Sequence, residues 1–456
     1  MTKGGERLAW LSEATLDRLP PWVERPRERA MPRVVHLGIG AFHRAHQAPV
    51  FEALGWGITA ASLRSPAVRD ALAPQDNLYS LVVGEQVRVI GTVRSVIVAP
   101  EEPQALLEAL AAPETAIVTL TITEKGYRPG GDAARFLARS LDLRRARGLA
   151  PFTAISCDNL AHNGRVLREA VLAASDGALR AWIAEQGAFP QTMVDRIVPA
   201  TDEADIETLA GRIGLIDRAM VKAEPFSQWV IEESFAGPRP DFEAAGVRIT
   251  TDVAPWEEAK LRLLNGAHSA IAYLGGLAGV EFVWQFVAQP AGRRLVEALW
   301  DELAPTLSPP PELDVAAYRA ALLERFSNRT LGHRTSQIAM DGSQKLPQRL
   351  LAPIAERLAR GEGIEALALA VAAWIQWQRR RTDAGEAFAV DDPLAAETAG
   401  FAGPPADRVS AALALRQVFP PALAAQPALC EALTRQLTRL TELGAEAAVE
   451  SFSPAQ

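Results

Sequence analysis

The stretch Arg33-Val-Val-His-Leu-Gly38-Ile39-Gly40-Ala41-Phe42-His43-Arg44-Ala45-His46 decides the fold. An apolar run ends in two glycines and opens into a segment of helical character, as at the start of a dinucleotide-binding βαβ unit. Glycine at 38 and at 40 lets the chain turn tightly and lets backbone N–H groups approach a pyrophosphate. His43 stands where a third glycine is usual, so the fingerprint is incomplete, and a Gly-x-Gly after a strand has low specificity on its own. Residues Gly38, Ile39, Gly40, Ala41, Phe42, His43, Arg44 and Ala45 are the candidate cofactor-binding segment.

Working outward, a second apolar run, Gly57 to Leu63, ends at Arg64-Ser65, about twenty residues past the glycines. An acidic residue there would hold the ribose hydroxyls of NAD. None is present, so Arg64 is either a contact for the 2′-phosphate of NADP or a solvated charge at a strand end. Thr115-Ala-Ile-Val-Thr-Leu-Thr-Ile-Thr123 is a β-branched, buried-strand pattern running into Glu124-Lys-Gly-Tyr127. Open α/β sheets bind ligands at such strand C-termini, which makes Glu124 a further cofactor candidate. Phe152 to Cys157 repeats the pattern and ends at Asp158-Asn159. Helices predicted over 102–112, 133–148, 164–187 and 203–213 alternate with these strands and imply a mostly parallel sheet. The spacing therefore predicts an α/β first domain over 1–252.

From about residue 253 strands give way to long alanine- and leucine-rich segments of helical spacing, so 253–456 is predicted to be all-helical. The 456 residues exceed one ordinary core, in keeping with two domains. A net charge of −8 argues against a general nucleic-acid binder, since phosphate contact needs a basic face. Two cysteines give neither a disulfide framework nor a cysteine zinc site. No apolar run is long enough to span a bilayer, and the first residues show no apolar signal core. The expectation is a cytoplasmic protein, monomeric or weakly dimeric, without nucleic-acid or membrane partners.

The chemistry is expected in Lys260-Leu-Arg-Leu-Leu-Asn265-Gly-Ala-His268. On an ideal helix these three polar side chains fall within an arc of roughly 140° but spread over about 12 Å of axis. Either the lysine leans along the helix or Gly266 loosens the turn. A lysine of lowered pKa can take a proton from an alcohol, while an amide and an imidazole can hydrogen-bond a developing oxyanion. The same residues also fit a surface lysine, a capping asparagine and a satisfied core histidine. A basic loop, Arg325 to Lys345, gathers Arg325, Arg329, His333, Arg334 and Lys345 and suits either an anionic ligand or salt bridges between domains. The one close histidine pair, His43 and His46, lies in the glycine segment, and no metal site is expected.

Taken together, the glycine segment, Thr123-Glu-Lys-Gly-Tyr127, Ser156-Cys-Asp-Asn159, Val194-Asp-Arg-Ile197, Glu224-Pro-Phe with Gln228-Trp229, and Lys260 to His268 resemble the mannitol dehydrogenase family of metal-independent polyol and sugar-acid dehydrogenases. The resemblance implies a Rossmann-like N-terminal domain, a helical C-terminal domain with the active site in the cleft between them, and NAD as cofactor, NADP not excluded. It implies that Lys260 is the catalytic base, that Asn159 and Asn265 polarise the carbonyl, and that His268 orients substrate. Glu257 would connect the lysine to solvent, and Asp195 would belong to the same shell. The segment His333 to Leu351 resembles the D-mannonate oxidoreductase (fructuronate reductase) branch, with His333, Arg334, Gln337 and Lys345 as substrate contacts. Gln337 stands where mannitol 2-dehydrogenases tend to carry an arginine. A mannitol or arabinitol 2-dehydrogenase acting on neutral ketoses is the alternative, and a catalytically silent nucleotide sensor a remote one. The stretch between His46 and Trp56 is shorter than usual for the family.

Overall fold

The structure, a computed structural model, describes residues 2–3, 6–128 and 130–453, with the backbone alone at residues 2, 3, 6, 7, 124 and 125. It divides into two compact units, Met1–Ala254 and Pro255–Gln456.

In the first unit five strands, β1 (Pro32–Leu37), β2 (Gly57–Ser62), β3 (Val93–Val98), β4 (Ile117–Leu120) and β5 (Thr153–Ser156), form a parallel sheet in the order β3-β2-β1-β4-β5. The chain starts at the centre, winds to one edge, then returns to extend the other side, so the switch point lies between β1 and β4. Alternate residues serve opposite faces. Val34, Ile58, Ile117 and Ile155 pack on one side, and Val35, Ala61, Val118 and Ala154 on the other. Burial on both faces explains why these strands read as nearly continuous apolar runs. Two three-stranded sheets flank the wound core, Val221–Lys222 with Tyr79–Val83 and Gln86–Ile90, and Thr192–Asp195 with Gln228–Glu232 and Arg248–Thr250.

The predicted helix over 164–187 is two helices, Asn163–Ala173 and Gly177–Gln186. The sequence Ser175-Asp176-Gly177 breaks it, because Asp176 is extended and Gly177 adopts φ +44°. The helix after the glycines is likewise in two short pieces, Ala41–Ala45 and Gln47–Ala53, followed by Gly55 at φ +68°.

The second unit contains the helices predicted for it. Glu365–Trp377 is buried along nearly its whole length and packs against Pro427–Glu450 and Ala267–Leu277. Among the described residues no helix is long and apolar enough to cross a membrane.

Gly38 shows how tightly β1 and β4 meet. It has φ +96°, and a Cβ added there would lie 2.2 Å from the carbonyl oxygen of Thr121. Steric overlap with backbone cannot be relieved by a rotamer change. The variant Gly38→Ala is expected to lose about 2 kcal/mol or more of unfolding free energy, from left-handed strain and overlap together. Urea denaturation followed by tryptophan fluorescence measures this.

Candidate active site

The first unit holds a cavity of about 420 Å³ at the C-terminal ends of β1, β2 and β4, lined among others by Gly38, Ile39, Gly40, Arg64, Ile122 and Thr123. A Cβ placed on Gly40 would find no atom nearer than 3.9 Å, so backbone at this point is open to close approach. That is what a glycine turn offering N–H groups to a phosphate requires. Arg64 is exposed and lines the cavity.

Much of the remainder of the candidate segment is packed into the fold. His43 is fully buried and stacks on His36, with ring centroids 3.3 Å apart and planes 9° apart. Burial, with cationic neighbours, pushes its pKa well down, so a neutral ring fills the space of the missing third glycine. His36 is held down to about 3, and its ring nitrogens engage Thr119 Oγ1 at 2.8 Å and both the Gly38 carbonyl and Thr121 Oγ1 at 3.0 Å. Arg44 is buried, donates to the Ala219 carbonyl and faces the Tyr79 ring, while its own carbonyl accepts from the Tyr79 hydroxyl. Its guanidinium braces the fold and does not line the cavity. Ala41, Phe42 and Ala45 are likewise absent from the lining, and the side chain of Glu124 lies outside the described residues. Asn159 follows β5 at the surface, and Asp195 is buried at the end of its strand.

In the second unit, Ala254–Ala259 is α-helical, Lys260–Gly266 is a π-helical segment, and Ala267–Leu277 resumes as α. A turn bonded from i to i+5 is wider than an α turn and closes after five residues, so Lys260 and Asn265 come onto one face. The loosened turn foreseen at Gly266 is thus realised over the whole segment. Three features hold it. Trp300 Nε1 donates to the Leu263 carbonyl at 2.8 Å. Buried Arg262 pairs with Glu356 through two bonds of 2.9 and 2.6 Å, with Glu258 at 2.7 Å, and donates to the Thr306 carbonyl at 2.7 Å. A second π segment, Pro347–Leu351, packs alongside, its Arg349 reaching the Asn265 carbonyl at 3.4 Å and Ser269 Oγ at 3.2 Å. A Cβ on residue 266 would stand 3.3 Å from the Arg349 carbonyl, so glycine there allows the approach.

Lys260 is 7% exposed and His268 6%. Burial pushes the His268 pKa well below its ordinary value, and His333, Arg325, Arg349 and Lys260 all add to that. The ring is therefore neutral. It lies 4.8 Å from the Phe326 ring and meets His333 edge-on at 5.0 Å. Its Nε2 is buried with no hydrogen-bond partner among the described residues, as is Nδ1 of His333. A buried polar atom without a partner costs free energy, and these two nitrogens, on neighbouring rings, could each take a hydrogen bond from a polar ligand.

The basic loop does not act as one cluster. Arg325 is buried and joins His333 beside His268. Arg329 lies over the Trp284 ring, Arg334 is exposed and pairs with Glu281, and Gln337 is exposed. Lys345 Nζ donates to the carbonyls of Ile338 and Met340. Glu257 is half-buried one turn before Lys260. Sequence reasoning missed Arg349 and Trp300, because a single arginine or tryptophan in a helical segment carries no signal of its target. Among the described residues no group of three or more His, Cys, Asp or Glu side chains is arranged to hold a metal ion.

A family model described as the mannitol dehydrogenase Rossmann domain matches residues 32–244, and one for the mannitol dehydrogenase C-terminal domain matches residues 252–441. The chain is 40% identical to the D-mannonate oxidoreductase of Escherichia coli, over 95% of this chain and 97% of that protein. It is 37% identical to a mannitol 2-dehydrogenase of Pyrenophora tritici-repentis, over 92% and 81% respectively. Among solved structures it resembles the Pseudomonas fluorescens mannitol 2-dehydrogenase in ternary complex with NAD and D-mannitol, with 35% identity, a TM-score of 0.86, and coverage of 96% of this chain and 98% of that one.

The buried neutral imidazoles set a pH dependence. Between about 6.5, the ordinary histidine value, and about 4, the value of folded His333, the unfolded chain binds protons that the folded chain refuses. Stability is therefore full above pH 6.5 and falls as pH is lowered through this window, His36 extending the loss to about 3. Melting temperatures across pH 4–8 are expected to drop on the acid side. In His333→Gln that acid-side slope is expected to be shallower.

Proposed function

The chain belongs to the mannitol dehydrogenase family, and we propose that it catalyses reversible hydride transfer between a nicotinamide cofactor and a sugar acid, interconverting D-fructuronate and D-mannonate. The observation that carries the reading is the basic surround of a neutral imidazole. Lys260, Arg325, Arg349 and His333 converge on His268, whose free nitrogen asks for a polar ligand. A uronate brings both a carboxylate for the guanidinium groups and hydroxyls for the imidazoles.

The cofactor is proposed to be NAD, lying along Gly38, Ile39 and Gly40 with Arg64 and Thr123 at the cavity wall. The open space over Gly40 fits a pyrophosphate in close contact with backbone. The absence of a carboxylate at the end of β2 leaves a 2′-phosphate acceptable beside Arg64. When bound, the reduced nicotinamide supplies the hydride.

Within this reading Lys260 gives a proton to the carbonyl oxygen during reduction and takes it back during oxidation, with Glu257 linking the amine to solvent. Asn265, on the same face of the wide turn, donates to the growing oxyanion, and Asn159 supplies the second amide. Such donors are typically worth a few kcal/mol each in the transition state. Neutral His268 orients a substrate hydroxyl, His333 contributes beside it, and Asp195 supports the shell. Identity to mannitol 2-dehydrogenases nearly as high as to the mannonate enzyme favours a second reading, a polyol dehydrogenase acting on neutral ketoses.

Lys260→Ala is expected to lower turnover by about a hundredfold or more while leaving NADH affinity within about threefold of the parent. Equal turnover removes the proposed role. Initial rates with fructuronate and with fructose, each with NADH and with NADPH, separate the readings. A higher kcat/KM for fructuronate is expected, with Arg349→Ala eroding that preference.

A further inference from the structure

The wall of the nucleotide cavity contains a residue in an unfavourable conformation. Thr123 has φ +65° and ψ 162°, a region that glycine tolerates and a β-branched residue does not. It sits where the chain leaves β4, between Ile122 and the short turn Glu124–Tyr127, and lines the cavity with Thr121, Ile122 and Gly126. The turn folds back closely, since a Cβ on Gly126 would lie 2.7 Å from the Ile122 side chain. Strain of this kind persists only when its surroundings over-determine it.

The side-chain part of the over-determination comes from one residue. Asp158, just past β5, accepts from Ile122 N at 2.9 Å, from Thr123 N at 3.0 Å and from the Tyr127 hydroxyl at 2.6 Å. Tyr127 is buried, and its oxygen is also 2.6 Å from Ser156 Oγ. One carboxylate thus fastens both ends of the loop to the end of the neighbouring strand. Upstream the loop is pinned separately, by Thr121 Oγ1 donating to the Gly38 carbonyl at 2.7 Å. Within the turn, the Thr123 carbonyl accepts from Gly126 N at 2.9 Å. The next residue after Asp158 is Asn159, proposed above as an oxyanion donor.

We infer that Asp158 is a positioning residue: its three hydrogen bonds hold Thr123 and the loop through Tyr127 in the strained form that shapes the nucleotide cavity, and anchor the chain leading into Asn159. The inference rests on the reading of that cavity as the cofactor site, but the restraint itself is a property of the ligand-free chain. Asparagine at 158 keeps one acceptor and turns an N–H donor toward a backbone N–H, so it cannot serve both amides.

Amide hydrogen exchange on the ligand-free full chain tests the restraint. In D158N, exchange at Ile122 and Thr123 is expected to rise by about tenfold, with circular dichroism and melting confirming that the fold is kept. NADH affinity, measured by calorimetry, is expected to fall by about tenfold in D158N. With Thr123→Gly present, D158N is expected to cost less than about threefold, because glycine needs no restraint to adopt the conformation. Unchanged exchange in D158N overturns the inference, and so does an equal loss of affinity in both backgrounds. Should D158N fail to fold, Tyr127→Phe removes one of the three donors and is expected to raise exchange at 122–127, and no change there is equally fatal. If the parent chain does not bind NADH, the cavity reading falls, while the exchange comparison still decides the role of Asp158.

Discussion

The second unit turns on a helix that is locally one step too wide. A π-helical segment strains hydrogen-bond geometry and leaves a less compact backbone, so it persists where side chains compensate. Here the indole of Trp300 takes up the Leu263 carbonyl and the guanidinium of Arg262 is locked by Glu356 and Glu258. Arg349, itself on a π segment, closes the arrangement against Asn265 and Ser269. These polar contacts are buried or partly buried, and polar networks away from water hold position strongly when every member is satisfied. Nε2 of His268 and Nδ1 of His333 are among the buried polar atoms this network leaves without a hydrogen-bond partner among the described residues.

The first unit solves a different problem, close approach of backbone to backbone and of backbone to ligand. Gly38 accommodates the first and Gly40 leaves room for the second, and buried, neutral His36 and His43 stack beside the turn. Two histidines in contact resist protonation, which keeps the packing apolar in character down to strongly acid conditions.

How much of this was legible in the chain follows from the range of the interactions involved. Strand and helix identities depend on periodicity, a local property, so Val34-Val35 against Gly38-Gly40 and the alternation after them are readable directly. The break at Ser175-Asp-Gly177 is masked in the sequence by an apolar pattern that continues across it, although turn-forming residues stand there. At the site, Lys260, Asn265 and His268 were visible as a spacing that an α-helix serves poorly. What relieves the misfit was not visible, since Trp300 and Arg349 come from 37 and 80 or more residues away. The basic loop illustrates the converse. Its charges are neighbours in sequence, yet Arg334 and Lys345 find Glu281 and backbone carbonyls, while Arg325 and His333 turn toward His268. Charge clustering along a chain shows that partners are needed, not who they are.

The wide turn also sets what kind of sequence change the segment can absorb. Since each residue of a regular helix advances the chain by about 100°, winding 260–266 as an α-helix of the same length would put Asn265 about 140° from Lys260, while taking one residue out of 261–264 would leave the two about 40° apart in a regular helix. Exchanges of one apolar side chain for another leave the register intact. Winding, more than length, is therefore the quantity under constraint here, and the wide turn functions as a phase offset between the amine and the amide five residues on.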